Sequence, residues 1–202
     1  MGGTRRWTSA AGALASVLAL VAAPGQPAHG QAGRCGDPAE RPWCATGLAP
    51  DARAGLLLQA MTVDEKIALL AADDPMGGPL GGFLETAHAD TNNGIPRLGI
   101  PPLYMADGPA GVRQGKATAL PAPIALAAGF DPEMAHRYGQ VVGWEARHRG
   151  NDVIFGPTVD VLRTPRNGRT FEGFGEDPHL AAGLGAAWIR GAQSQRVRTV
   201  HL

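Results

Sequence analysis

Cysteine is nearly missing from this sequence of 202 residues, neither sign of charge predominates, and no apolar run is long enough to cross a membrane. Each shortage removes a class of function. Cys35 and Cys44 alone would leave a zinc ion under-coordinated, and no histidine pair lies at finger spacing beside them. Eighteen Lys and Arg offset eighteen Asp and Glu, so no electrostatic footprint points to nucleic acid or an anionic membrane. The expected partner is closer to neutral. Several catalytic signatures are also missing. There is no G-x-S-x-G elbow and no H-E-x-x-H, and residues 108–118 lack the hydroxyl residue and glycine spacing of a phosphate-binding loop. Glu85 and His88 have a spacing used by metal sites, but no second pair matches them, so they are expected at the surface. No metal and no cofactor is implied.

What is present begins with an export signal. Arg5 and Arg6 precede an Ala/Leu/Val run at 9–23 that is too short for a membrane span, and 24–32 supplies small residues for cleavage. Residues 1–32 are therefore expected to be removed, by either the Sec or the twin-arginine route, leaving a secreted protein with no membrane attachment. In that oxidising setting Cys35 and Cys44 are expected to pair within an N-terminal loop at 33–50.

The remainder, 51–202, reads as one α/β domain. A helix is expected over 51–60. Thr62 to Glu65 is a capping-box pattern ahead of a second helix over 66–71, and the Gly/Pro-dense stretch 75–82 must be a loop. The apolar run 98–106 reads as a buried strand that stops at Asp107-Gly108-Pro109. Asp131-Pro132 opens a helix running to about Arg149, with Met134, Tyr138, Val141, Val142 and Ala146 on one face. A strand over 152–161 follows, then a helix opened by Asp177-Pro178, then a strand near Arg198. This alternation predicts parallel strands, as in a barrel or an open doubly wound sheet, and polar groups after successive strands favour the barrel. The pattern stops after a strand, and so few strands cannot close a barrel. The expectation is a partial, truncated (β/α)8 TIM-barrel-like domain.

Chemistry concentrates at 163–178, R-T-P-R-N-G-R-T-F-E-G-F-G-E-D-P. Forked guanidiniums and carboxylates set among glycines suit an oxygen-rich ligand, a sugar or a carboxylate. At least one of Arg163, Arg166 and Arg169 is expected to be a buried hydrogen-bonding anchor for its own loop. Glu172 and Glu176 raise the possibility of a glycosidase carboxylate pair, but Glu176 runs straight into a helix start, where acidic residues serve the helix dipole. Asp107 either caps its turn or accepts sugar hydroxyls. Arg113, six residues on, either pairs with Asp107 or lines the same pocket.

These segments carry a resemblance. The stretch 56–199, with M-T-V-D-E-K-I-A-L-L, N-G-I-P-R-L-G-I-P-P-L-Y-M-A-D-G-P-A-G-V-R and N-D-V-I-F-G-P-T-V-D-V-L-R-T-P-R-N-G-R-T-F-E-G-F-G-E-D-P, resembles the N-terminal part of glycoside hydrolase family 3, in its secreted bacterial β-glucosidase-like branch. The resemblance implies a barrel-like domain followed by an α/β sandwich domain needed for activity, and hydrolysis of terminal β-linked sugars with retention. The substrate would be a β-linked oligosaccharide or an aryl glycoside. It implies substrate-binding roles for Asp107, Arg113 and Arg169. His201 stands where the family has the His of a Lys-His pair, while the Lys is absent. The family's nucleophile and acid/base match no position here, so no catalytic residue is assigned. The rival expectation is a non-catalytic, truncated sugar-binding remnant or pseudogene product.

Overall fold

The computed structural model describes residues 35–71 and 88–201. The leader at 1–32, the Gly/Pro stretch 75–82 and Glu85 lie outside them. Helix α1, Pro50–Ala60, begins on a proline with Asp51 in its first turn, both favourable at a helix N-terminus. Helix α2, Val63–Ala68, starts three residues before the expected position. The capping box forms directly: Thr62 accepts from the Glu65 amide while Glu65 accepts from the Thr62 amide, so the first turn follows Thr62 at once.

Among the described residues the sheet has four strands in sequence order: β1 Asp90–Asn92, β2 Leu103–Asp107, β3 Val153–Phe155 and β4 Arg198–Val200. The last three are parallel, with Asp107, Phe155 and Val200 level with one another. β1 corrects the all-parallel expectation, since it pairs with β2 antiparallel. Its Asp-Thr-Asn sequence carries no strand pattern, and main-chain pairing with Leu103, Tyr104 and Met105 creates it. Two of the three expected strands are shorter than predicted, for one physical reason. Pro101 and Pro102 offer no N–H, so pairing of β2 begins at Leu103. Likewise β3 ends before the cis Gly156–Pro157 bond, although the apolar stretch continues to Val161.

Helix α3, Pro123–Ala127, was not foreseen; α4, Pro132–His148, and α5, Pro178–Gln193, were. Asp131 accepts the Glu133 and Met134 amides at 2.9 and 3.2 Å, and Asp177 accepts that of His179 at 2.8 Å. These two helices form the crossovers β2-α4-β3 and β3-α5-β4 and cover one side of the sheet. Ala106, Ile154, Val142, Leu184 and Trp188 are buried between the layers. The inward face of α4 is Ala135, Tyr138, Gly139, Val142, Gly143 and Ala146. Met134 and Val141, expected on it, are instead exposed. Glycine supplies the reason. A Cβ at Gly139 would stand 2.1 Å from the Trp188 carbonyl oxygen, and one at Gly191 2.0 Å from that of His136, so the helices meet backbone to backbone.

A second cluster, Met61, Ile95 and Leu98 with Trp43 and Leu57, lies under the N-terminal loop. Cys35 and Cys44 are joined there, and Arg41 donates to the carbonyls of Cys35 and Arg97. Among the described residues no helix is long and apolar enough to cross a membrane.

Candidate functional site

Side chains alternate across a strand, so the level residues Asp107, Phe155 and Val200 share the sheet face away from α4 and α5, where Ala106 and Ile154 point. Asp107 is thus a half-buried carboxylate at the C-terminal end of β2. Its turn is fixed from behind. The Gly108 amide donates to the Phe155 carbonyl at 2.9 Å, and a Cβ on Gly108 would lie 2.4 Å from Ile154 Cγ1. The carboxylate itself is held by Gln114, a residue with no exposed surface. Gln114 Nε2 donates to Asp107 Oδ2 at 3.2 Å, and the Asp107 amide donates to Gln114 Oε1 at 3.0 Å.

The second half of the site comes from the loop after β3. Gly-rich and bounded by prolines, it folds on local bonds: the Arg169 amide donates to Asn167 Oδ1 at 2.9 Å, and Thr170–Glu172 forms one 3-10 turn. That turn brings Arg169 onto Glu172, whose carboxylate is buried. The guanidinium donates from both Nε and Nη2 to Glu172 Oε2. Its pKa is raised, first by that hydrogen bond and the Glu172 charge, with Asp107 and Asp160 contributing further. Arg169 therefore lies within the fields of three carboxylates. It also lines a cleft of ≈ 490 Å³ with Thr158, Asp160, Arg163 and Asn167.

The sequence-predicted residues are distributed unequally about this site. Asp107 and Arg169 form no ion pair with each other; the Asp107 charge adds only a lesser share to the rise in the Arg169 pKa. Arg113 donates its main-chain amide to the Asp107 carbonyl at 3.0 Å, but its side chain is exposed and forms no ion pair with Asp107. His201 follows β4, exposed, and lines a separate groove with Val159, Val161 and Ile189 against α5. Glu176 is exposed, and Asp177 rather than Glu176 caps α5. His88, expected at the surface, is half-buried: its Nδ1 lies 2.8 Å from Asn151 Oδ1, and its ring stacks on Tyr104 at 4.3 Å. Among the described residues no cluster of metal-ligating side chains occurs.

Sequence reasoning missed Gln114 and Asp160. Gln114 stands beside Arg113, whose charge draws attention first, and only burial separates the two. Asp160 was absorbed into an expected strand. A carboxylate and a guanidinium facing one cleft can accept from and donate to adjacent hydroxyl groups, the pattern that a pyranose presents.

The sequence pattern of the glycosyl hydrolase family 3 N-terminal domain matches residues 84–201. A β-glucosidase of Bacteroides ovatus is 42% identical over 154 residues, which is 69% of this chain and 19% of that protein. One from Rhizobium radiobacter is 38% identical over 148 residues, 70% of this chain and 16% of the relative. Among solved structures, β-glucosidase 3B from Thermotoga neapolitana in complex with α-D-glucose superposes with a TM-score of 0.69 at 30% identity, covering 74% of this chain and 22% of that one. DesR, a β-glucosidase from Streptomyces venezuelae in complex with D-glucose, gives 0.65 at 40% identity over 74% and 18%. The chain spans about a fifth of the length of these relatives. With its crossovers, its strand-end site and a family match over more than half its length, the chain belongs to glycoside hydrolase family 3, within whose N-terminal domain the α/β fold described here lies.

Proposed function

We propose that this chain forms one wall of the sugar subsite of an exported, β-glucosidase-like retaining glycosidase that removes terminal β-linked sugars from oligosaccharides or aryl glycosides. The observation that carries the reading is the half-buried Asp107 carboxylate at the C-terminal end of β2, the end at which barrel enzymes build their sites, with Arg169 on the loop that follows the neighbouring parallel strand β3. Asp107 would accept sugar hydroxyls and Arg169 would donate to them. Such bonds, held rigidly, accelerate glycosidic cleavage when they tighten on an oxocarbenium-like transition state. Arg113 and His201 would join the subsite only if their exposed side chains turned toward it.

No carboxylate of this chain is assigned as nucleophile or acid/base. Glu172 is engaged with Arg169, and Asp107 with Gln114. Binding without turnover is the behaviour proposed for the 202 residues alone, with the catalytic pair and the sandwich domain supplied elsewhere. Export is part of the proposal, and the joined Cys35 and Cys44 support it. The test is calorimetric titration of the purified chain with methyl β-D-glucopyranoside, beside an assay on an aryl β-glucoside. Saturable binding, lost in Asp107→Ala and Arg169→Ala, with no hydrolysis, is the expected result. Robust hydrolysis abolished in Glu172→Gln would overturn the assignment of roles.

A further inference from the structure

Asp107 is an aimed carboxylate, and what aims it is an uncharged, fully buried residue. Gln114 meets Asp107 at two points, taking the main-chain amide on Oε1 and giving Nε2–H to Oδ2. Its own main chain is tied to the helix layer: Arg149 of the α4 C-terminus donates to the Gln114 carbonyl at 3.0 Å and also to the Lys116 carbonyl. Four residues beyond Gln114, Glu145 accepts from the Thr118 amide and from its hydroxyl, the latter at 2.5 Å. A strut therefore runs from α4 through Gln114 to the end of β2.

We propose that Gln114 is a positioning residue for sugar recognition: its carboxamide fixes the rotamer of Asp107 by holding Oδ2, and leaves Oδ1 to accept the ligand's hydroxyls. The inference rests on the sugar-binding reading of Asp107 and deepens it. Chemistry explains why this residue type suits the place. An arginine here would grip both carboxylate oxygens in a fork and leave none for ligand. An ionised glutamate would offer no donor and would repel Asp107. An apolar side chain would free the carboxylate to rotate. A carboxamide supplies, without depending on pH, one acceptor for the amide and one neutral donor for a single oxygen.

The experiment uses the full 202-residue chain, methyl β-D-glucopyranoside as probe, and two variants read by titration and by hydrogen exchange of the Asp107 main-chain amide. Gln114→Met keeps the buried volume and removes both bonds. It is expected to weaken binding about tenfold or more, as for loss of a hydrogen bond to a charged group, and to speed exchange of the Asp107 amide. Gln114→Glu is nearly isosteric, so it guards against a variant that fails to fold. Protonated, a glutamic acid reproduces the donor and acceptor of the amide. The gap in affinity between this variant and the parent should therefore narrow as pH falls through the titration of the new glutamate, which burial and the Asp107 charge raise above the ordinary carboxyl range. A residue that only fills space would produce no such profile. Parent-like affinity in Gln114→Glu at every pH, or in Gln114→Met with unchanged Asp107 exchange, overturns the proposal. If the parent chain itself fails to bind the glucoside, the sugar reading of Asp107 falls. Exchange then still decides the clamp: faster in Gln114→Met upholds it, and unchanged removes it.

Discussion

Arg169 places Nε and Nη2 on one oxygen of Glu172, at 2.8 and 2.5 Å, with the carboxylate side chain 5% exposed and the guanidinium side chain 57% exposed. The two partners therefore stand differently toward water, and their removal should cost different amounts. Arg169→Ala leaves a buried charge without its counter-ion, and we expect a loss of about 2 to 3 kcal/mol, below the full penalty for a buried pair because the arginine is solvated. Glu172→Gln keeps the shape and leaves a guanidinium that water can reach, for about 1 kcal/mol. Urea denaturation of the two variants and the double variant measures both costs and their coupling. Equal costs would show that the pair is no more than a surface contact.

That pair also shows what was legible in the sequence and what was not. The expectation of a buried loop arginine anchoring its own loop is met by Arg169 in its bonding but not in its burial, since its side chain is exposed, whereas the capping signals at Thr62, Asp131 and Asp177 became helix starts, because caps depend on residues a few positions apart. What resisted reading depends on distant chain. β1 exists because β2 offers it a pairing edge, and the inward face of α4 follows Gly139 and Gly143 because α5 approaches there. Within the proposed site, the motif drew attention to Asp107 and Arg169. The part played by Gln114 required knowing that it is buried and that Arg113, one residue away, is not.

Glu65 gives a prediction whose sign follows from its hydrogen bonds. The Arg97 guanidinium, and then the Thr62 amide, hold its carboxyl down at about 2 from an ordinary 4.5. A group whose folded pKa is depressed stabilises the fold above its unfolded value and loses that contribution as pH falls toward the folded one. The difference in Tm between the parent and Glu65→Gln should therefore be constant above about pH 5 and shrink between 4.5 and 2. A difference that stays constant down to pH 2 would mean that the pair forms in the unfolded chain as well.

Reduction should loosen the N-terminal loop. The bond between Cys35 and Cys44 closes a separation of 9 residues, and loop-closure entropy for so short a ring corresponds to about 2 to 3 kcal/mol. The loop reaches the rest of the fold through Arg41 and through Trp43, whose indole donates to the Leu98 carbonyl at 3.2 Å. Cys35→Ser/Cys44→Ser should therefore raise hydrogen exchange across residues 95–99 and leave α4 and α5 as protected as before. Loss of protection throughout would show that the two clusters unfold as one unit.

Gly108 joins the core to the site, and one methyl group there tests both. It follows Asp107 directly, and a Cβ would lie 2.4 Å from Ile154 Cγ1 and 2.5 Å from Cδ1, closer than any settled contact. Because Ile154 is fully buried against the helices, it has little room to retreat, so the strain of Gly108→Ala should pass into the turn that holds Asp107. Overpacking of this kind costs about 1 to 3 kcal/mol, and here it should weaken glucoside binding as well. Ile154→Ala, which opens a cavity instead, should cost about 2 to 5 kcal/mol with little effect on binding. Combined, the second change removes the atoms that the first collides with. The double variant should therefore be more stable than the sum of the two losses implies, by about 1 kcal/mol or more, and should regain affinity. Strict additivity in denaturation, with affinity still lost, would mean that the packing of Ile154 does not set the position of Asp107.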